Sequence, residues 1–163
     1  MNIFVTDPDP VVSAQCLPDK HVVKMPLETC QMLSIVASHQ WGHGYGDLPK
    51  KDSGFYATAK GAFRNHPCTI WAQENFRWLI KHGLALCAEY THRYNKVHSC
   101  QFTLEYADII FPDIECPTPF TRAMPDEFKV PGDAVESYRR YFRSKPNVRY
   151  SRVEAPDWYE VNA

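Results

Sequence analysis

The stretch NHPCTIWAQENFRWLIKHGLALCAEYTHRY, residues 65–94, carries the clearest helical pattern in the sequence and decides its fold class. Apolar side chains recur there every three or four residues, as on one face of an α-helix. The recurring positions are Ala72, Phe76, Leu79, Gly83, Leu86 and Tyr90. Pro67 suits the first helical turn, where no backbone hydrogen bond is lost. The pattern predicts one long helix from Pro67 to about Tyr94, with this face in the core.

A second stripe on the same predicted helix mixes aromatic and charged side chains. Its members are Trp71, Glu74, Trp78, His82, Glu89 and Arg93. Exposed faces rarely carry two tryptophans, and buried faces rarely carry two glutamates. The stripe therefore indicates either packing with internal ion pairs or the wall of a cleft in which tryptophan stacks on a base. In the second interpretation Asn65, just before the helix, belongs to the cleft as well.

The N-terminal part of the chain predicts two helices and a loop. The sequence DPDP at 7–10 turns the chain after a short extended segment and starts a short helix at Pro10. A longer helix is predicted from Asp19 to about Ser38, kinked or split at Pro26, which lacks a backbone donor. Residues 40–65 contain five glycines and predict a long surface loop with a helical turn near 57–63.

The C-terminal part predicts two further helices around an irregular segment. The first runs from Ser99 to Ile110, although its FTLEY start is equally typical of a strand. Five prolines make residues 111–132 irregular. The sequence DAVE at 133–136 resembles a capping box and opens a last helix that ends before Pro146. The predicted fold is mainly α, a compact single domain over residues 1–163 with long loops.

Composition narrows the functional classes. Six cysteines are scattered singly, which is typical of reduced thiols in a cytosolic protein. The chain contains neither an apolar run of membrane-spanning length nor a signal peptide, so no membrane contact is expected. The formal net charge of −1 does not favour nucleic-acid binding by the chain as a whole. Because H-E-x-x-H and phosphate-binding glycine loops are lacking, neither a metal nor a cofactor is predicted.

The stretch DKHVVKMPLE, residues 19–28, places polar side chains along one face of the second predicted helix. At about 100° per residue, His21, Lys24, Glu28 and Gln31 share a stripe. One interpretation is a solvated face with a Lys24–Glu28 pair. The other is a glutamate beside cationic groups in a cleft, suited to general acid–base catalysis.

The segment YRRYFRSKPNVRYSR, residues 138–152, concentrates positive charge and aromatic side chains. Its basic residues are Arg139, Arg140, Arg143, Lys145, Arg149 and Arg152. Nucleic-acid phosphate is one partner for such a patch, and a solvated basic face is the alternative.

Three segments resemble the small pyrimidine dimer DNA glycosylases of the phage endonuclease V type. Leu17, Asp19 and His21 are similar to that family's L-x-D-x-H, and Glu28 stands seven residues beyond the histidine, where the family places its catalytic glutamate. The N-H-P segment and LIKHGLALCAEYTHRYN at 79–95 resemble its long helix.

The third segment is the C-terminal P-x-W-Y element at 156–159, whose Trp158 and Tyr159 match an aromatic tail that in the family lies near the damaged bases. The motifs D-K-H-V-V-K-M, N-H-P-C-x-x-W and E-Y-T-x-R-Y also make the chain similar to a group of uncharacterised phage proteins. This second resemblance implies a location in the cytoplasm of an infected host cell.

The resemblance implies a specific chemistry. Family members attack C1′ of the nucleotide with the α-amine at the start of the chain and form a Schiff base that leads to strand cleavage. An α-amine is partly neutral at pH 7–8, because its reference pKa is about 7.7–8.0. Glu28 would move protons, and His21 and His66 would orient groups. Since Asn2 disfavours removal of the initiator methionine, the amine would be that of Met1, with Lys24 or Lys20 as alternatives.

Two other functions remain open. A pyrimidine nucleotide could be modified or hydrolysed in the same cleft without strand cleavage, which the slightly acidic composition favours. A non-catalytic phage protein could instead bind DNA or a host factor with the same fold. The expected partner is therefore DNA or a pyrimidine nucleotide, and the sequence gives no indication of the oligomeric state.

Overall fold

The computed structural model describes residues 2–41, 48–56 and 63–159, and for 39–41 the backbone alone. Within these ranges there are helices and two isolated bridges but no strand. The helices are α1 (Pro10–Gln15), α2 (Asp19–Trp41), α3 (Pro67–Glu74), α4 (Phe76–Tyr94), α5 (Gln101–Ile110) and α6 (Ala134–Arg143). Single 3-10 turns form at Asp126–Phe128 and Asp157–Tyr159. The prediction of a mainly α fold is confirmed.

Helix α4 lies at the centre of the fold and packs against α1, α2 and α5. Its predicted core face is buried at Leu79, Gly83 and Leu86. A methyl group added at Gly83 would lie 2.8 Å from Leu104 Cδ2 and 2.9 Å from Thr29 Cγ2. The missing side chain at Gly83 therefore lets α2 and α5 approach α4 closely.

The predicted single helix over 67–94 is wrong, because the chain breaks at Asn75 into α3 and α4. The Asn75 amide donates to Trp71 O at 2.9 Å and to Thr118 Oγ1 at 2.6 Å. Its carbonyl oxygen accepts from Thr118 N at 3.0 Å. Asparagine competes in this way for backbone partners, and here the distant Thr118 draws it out of helical geometry.

Helix α2 continues through Pro26 as one element, so it is not split there, and it ends three residues beyond the predicted Ser38. Pro26 removes one backbone donor. The helix is nevertheless held by its contacts with α3, α4 and α5, and Pro26 itself is buried. Tertiary packing thus outweighs the local preference.

The remaining predicted elements are largely confirmed. FTLEY begins α5 rather than a strand, and 111–132 is irregular apart from one 3-10 turn. At α6, Asp133 caps Glu136 N at 2.9 Å. The reciprocal half of the capping box does not form, because the Glu136 carboxylate pairs instead with Arg143 at 2.8 Å. The predicted turn near 57–63 falls almost wholly outside the described residues.

The mixed stripe of α4 packs against the segment that holds α1. Trp78 Nε1 donates to Pro8 O at 2.8 Å, and His82 Nδ1 lies 3.0 Å from Pro10 O. Arg93, which is 3% exposed, pairs with Glu89 at 2.9 Å and with Asp19 at 3.1 Å. This part of the stripe holds the start of the chain through internal ion pairs and hydrogen bonds.

Candidate active site

An open pocket of about 400 Å³ lies between the start of the chain and the first turns of α2. It is called the Glu28 pocket below. Its lining residues are Asn2, Phe4, Lys20, His21, Lys24, Met25 and Glu28. The polar stripe of α2 therefore faces a concave surface, and three of the five predicted catalytic residues, His21, Lys24 and Glu28, meet there.

Asn2 fixes the start of the chain at the edge of this pocket. Its side-chain amide donates to Ala123 O at 2.6 Å. Its carbonyl oxygen accepts from Ile3 N at 2.7 Å and from the Tyr138 hydroxyl at 3.0 Å. Met1, the predicted source of the amine, lies outside the described residues. The residue that follows it is thus anchored to two distant parts of the chain.

Phe4 adopts a backbone conformation that is costly for a bulky residue. Its φ is 60°, in the left-handed region. The Asn2 carbonyl oxygen bonds to Phe4 N at 3.3 Å, and the Phe4 ring packs edge-on against His21 at 4.7 Å. Strained backbone of this kind is often found at functional sites. The strain here turns the aromatic ring into the Glu28 pocket.

His21 lies in an electrostatically positive position on the pocket wall. Burial first, and then three nearby lysines, lower the pKa of its imidazole to about 4. These lysines are Lys24, Lys145 and Lys20. The imidazole is therefore neutral at physiological pH, and its buried Nδ1 has no hydrogen-bond partner among the described residues. An anion would be stabilised between these lysines.

Glu28 and His66 approach each other from different helices. His66 caps α3, where its Nδ1 accepts from Cys68 N at 3.1 Å. Burial lowers the pKa of His66, and the negative charge of Glu28 opposes this effect. The same charge helps to raise the pKa of the Cys68 thiol, after burial itself. Glu28 thus acts electrostatically on the N-terminus of α3.

A second concave surface of about 890 Å³ continues from the Glu28 pocket. It is called the basic groove below, because Lys20, Lys145 and Arg149 line it. Lys20 and His21 belong to both surfaces. Tyr94, Tyr141 and Asn147 supply aromatic and amide groups to the groove. The basic groove therefore leads into the Glu28 pocket at Lys20 and His21.

Several predicted nucleic-acid-binding residues make internal contacts instead. Arg139 Nε donates to Thr6 O at 2.9 Å, and its guanidinium lies over the Trp158 ring. Arg143 donates to Trp158 O at 2.7 Å and pairs with Glu136. The Tyr159 hydroxyl donates to Lys145 O at 2.8 Å. Arg140 is exposed and lies 3.8 Å from Glu136.

The predicted cleft residues do not line the Glu28 pocket or the basic groove. Trp71, His82, Glu89 and Arg93 are buried, and Trp78 packs in an aromatic cluster with Trp71 and Phe120. Asn65 and Glu74 are exposed. Glu89 instead lines a separate concave surface of about 570 Å³. The cleft interpretation of the stripe stays a prediction.

Phe4 and Tyr138 are not among the site residues predicted from sequence, and Asn2 enters that prediction only as the context of Met1. No periodic pattern links Asn2 with Ala123 or Tyr138, because these two partners lie more than 100 positions away. An asparagine directly before an apolar run was the only local signal. Such a residue often bonds to nearby backbone, as Asn2 does with Ile3.

Comparison with known proteins gives one match. A family model described as pyrimidine dimer DNA glycosylase matches residues 1–102. The matched part covers α1–α4 and the whole lining of the Glu28 pocket. No curated protein and no solved structure matches the chain significantly. Among the described helices, none is long and apolar enough to cross a membrane.

Proposed function

We propose that this chain, which belongs to the family of pyrimidine dimer DNA glycosylases, is a DNA N-glycosylase with an associated lyase step. The proposal rests mainly on one observation. Glu28 and the amines of Lys20 and Lys24 line one pocket at the anchored start of the chain. A carboxylate beside amines is what Schiff-base chemistry at a sugar carbon needs.

In the proposed reaction a neutral amine attacks C1′ of a pyrimidine nucleotide. The C1′–N bond breaks, and its electron pair and a proton leave with the base. The sugar ring then opens, O4′ takes a proton, and C1′ forms an imine with the amine. Loss of a C2′ proton breaks the C3′–O bond and cleaves the strand. Glu28 is assigned the proton transfers at O4′ and C2′, since it is the carboxylate of the pocket.

The basic groove is assigned to the DNA backbone. Lys145 and Arg149 are exposed and line the groove, and Lys20 lies where the groove meets the Glu28 pocket. The lysines that lower the pKa of His21 would be neutralised by phosphate at this junction. A groove of this kind allows a protein with a net charge of −1 to bind DNA locally.

Borohydride trapping on DNA with an abasic site tests the amine. Reduction of the imine should join protein and DNA covalently, and peptide mapping should identify the bonded residue. The variants Lys20→Arg and Lys24→Arg keep the positive charges but remove each candidate amine, and acetylation of the α-amine removes the third. If none of the proteins, including the unmodified one, gives an adduct, the lyase mechanism is wrong.

Glu28→Gln tests the acid–base role. General acid–base catalysis contributes about 10²–10⁴-fold, so base release should slow by about 100-fold or more. The affinity for the same DNA should change little, because glutamine keeps the size of the side chain. Glu74→Gln is a matched control, since Glu74 is exposed and lies outside the pocket. Unchanged catalysis in Glu28→Gln would contradict the proposal.

Salt dependence of DNA binding tests the basic groove. Each phosphate contact contributes about 0.9 to the slope of log K against log salt. Lys145→Gln and Arg149→Gln should each reduce that slope by about 1, measured by fluorescence anisotropy. Lys81→Gln is the control, because Lys81 pairs with Glu115 outside the groove. Equal slopes in all four proteins would mean that the DNA does not bind in the basic groove.

The same assays separate the two other functions. Conversion of a free pyrimidine nucleotide without strand cleavage would favour the nucleotide enzyme. DNA binding that is unaffected by Glu28→Gln, together with no base release by the unmodified protein, would favour a non-catalytic binder.

A further inference from the structure

A cluster of thiols lies behind α2, on the side opposite the Glu28 pocket. Cys30 projects from α2, and its Sγ is 3.9 Å from the carbonyl oxygen of Cys100. The Cys30 and Cys100 side chains also interact with each other, and this interaction raises the pKa of Cys30 and lowers the pKa of Cys100. The Tyr56 hydroxyl lies 3.7 Å from the same sulfur. Two thiols and a phenol thus converge in a largely buried site.

Cys100 is 4% exposed and lines an open pocket. This pocket has a volume of about 590 Å³, and Leu27, Lys50, Tyr56 and Cys100 are among its lining residues. The Lys50 ammonium lies 5.3 Å from the centre of the Tyr56 ring, so a positive charge lies near the entrance. A small polar molecule can therefore approach one thiol of the cluster.

We propose that Cys100 is a peroxide-reactive thiol and that Cys30 resolves its oxidised form into an intramolecular disulfide. In the first step the Cys100 sulfur attacks one oxygen of a hydroperoxide. The O–O bond breaks, the sulfur becomes a sulfenic acid, and the other oxygen leaves as water or an alcohol. In the second step the Cys30 sulfur attacks the sulfenic sulfur. The S–O bond breaks, and the oxygen leaves as water with the Cys30 proton.

The surroundings favour this division of roles. The interaction with Cys30 is the main cause that lowers the pKa of Cys100, whereas the same interaction and burial raise the pKa of Cys30. Cys100 also occupies the N-cap position of α5, where the helix dipole favours a negative charge. Cys100 is consequently the nucleophile, and Cys30 is the neutral thiol that follows.

Peptide mapping of the reduced, full-length protein after treatment with equimolar hydrogen peroxide tests the proposal. A peptide linked through Cys30 and Cys100 should appear, lighter by two hydrogens, and dithiothreitol should remove it. Cys116 is the internal reference because it is an exposed free thiol. The proposal is overturned if Cys116 is oxidised while Cys100 stays reduced, or if Cys87 instead forms the disulfide.

Four variants test the separate roles of the cluster. Cys30→Ser keeps a hydrogen-bond donor beside Cys100 but cannot form the disulfide, so it should leave Cys100 as a sulfenic acid that dimedone labels. Cys116→Ser should leave the disulfide yield unchanged. Tyr56→Phe should slow oxidation by about tenfold, as expected for the loss of one hydrogen bond to a charged acceptor. Dimedone labelling of Cys30 in a Cys100→Ala variant would reverse the assignment. The mapping of the unmodified protein decides the site even where a variant folds poorly.

Discussion

His82 is a histidine that the fold keeps uncharged. It has no exposed surface, and burial lowers the pKa of its imidazole to about 4. Its reference pKa in an unfolded chain is about 6.5. The unfolded chain therefore binds a proton at a higher pH than the folded protein does. The free energy of unfolding therefore does not depend on His82 protonation above about pH 6.5. It decreases as the pH falls from about 6.5 towards 4.

Replacing His82 should make the free energy of unfolding depend less steeply on pH in the acidic range. One histidine of this kind contributes a slope of at most about 1.4 kcal/mol per pH unit between its two pKa values. His82→Gln removes the imidazole that binds this proton. The overall stability also decreases, because the contact with Pro10 O changes. Urea unfolding at several pH values between 4 and 7 measures the slope.

His92→Gln is the matched control for this experiment. His92 lies on the same helix, α4, but on its exposed side. His92→Gln should give the same slope of unfolding free energy against pH as the unmodified protein. Identical slopes in both variants would mean that protonation of His82 does not oppose folding.

Gly83 determines how closely three helices cross. An alanine there gains about 1 kcal/mol of helix propensity but would contact Leu104 and Thr29 at less than 3.0 Å. Overpacking of a core costs about 1–3 kcal/mol, so Gly83→Ala should destabilise the protein. In a Leu104→Ala background the new methyl group enters the space left behind, and its cost should shrink by about 1 kcal/mol or more.

A double-mutant cycle in urea measures this coupling between α4 and α5. Ala88→Gly, at an exposed position of α4, calibrates the propensity contribution and should cost about 1 kcal/mol. Additive effects of Gly83→Ala and Leu104→Ala would show that the helices move apart instead of clashing.

At the level of elements, local signals predicted most helices but not their interruptions. The 3-4 spacing of apolar residues located α4, and the proline and aspartate signals located the starts of α1, α2 and α6. The break at Asn75 could not be predicted, because Thr118, its partner, is 43 positions away. For the same reason the continuity of α2 through Pro26 depends on packing that the sequence does not display.

At the scale of the whole molecule, the Glu28 pocket is completed by distant parts of the chain. The stripe on α2 could be predicted from helical spacing and from the D-x-H resemblance. The contacts that surround this stripe could not be predicted, because they join distant parts of the chain. Asn2 bonds to Ala123 and Tyr138, and Asp19 accepts from Ser151 Oγ at 2.6 Å. These three partners also lie beyond residue 102, where the family match ends.

Tyr138→Phe should separate positioning from folding. The Tyr138 hydroxyl accepts from Ala123 N at 3.2 Å and lies 3.0 Å from Asn2 Oδ1. Its loss should cost about 1–3 kcal/mol of stability. We expect kcat for base release to fall by about tenfold while KM changes little, because the start of the chain loses its orientation and the basic groove is intact.

Tyr150→Phe is the control for Tyr138→Phe. Its hydroxyl donates to Cys16 O at 2.9 Å, and it lies outside the Glu28 pocket. The stability loss should be similar, with kcat preserved. An equal decrease of kcat in both variants would assign the effect to folding alone.

The anchoring of Asn2 also determines when a competent site exists during synthesis. The ribosome releases the chain from its N-terminal end, so Glu28 and the long helices emerge well before Ala123 and Tyr138 do. Until Ala123 and Tyr138 have left the exit tunnel of the ribosome, Asn2 cannot form its hydrogen bonds with them. In the proposed mechanism, a nascent or prematurely terminated chain would therefore carry Glu28 and the lysine amines without the alignment that the anchored Asn2 provides.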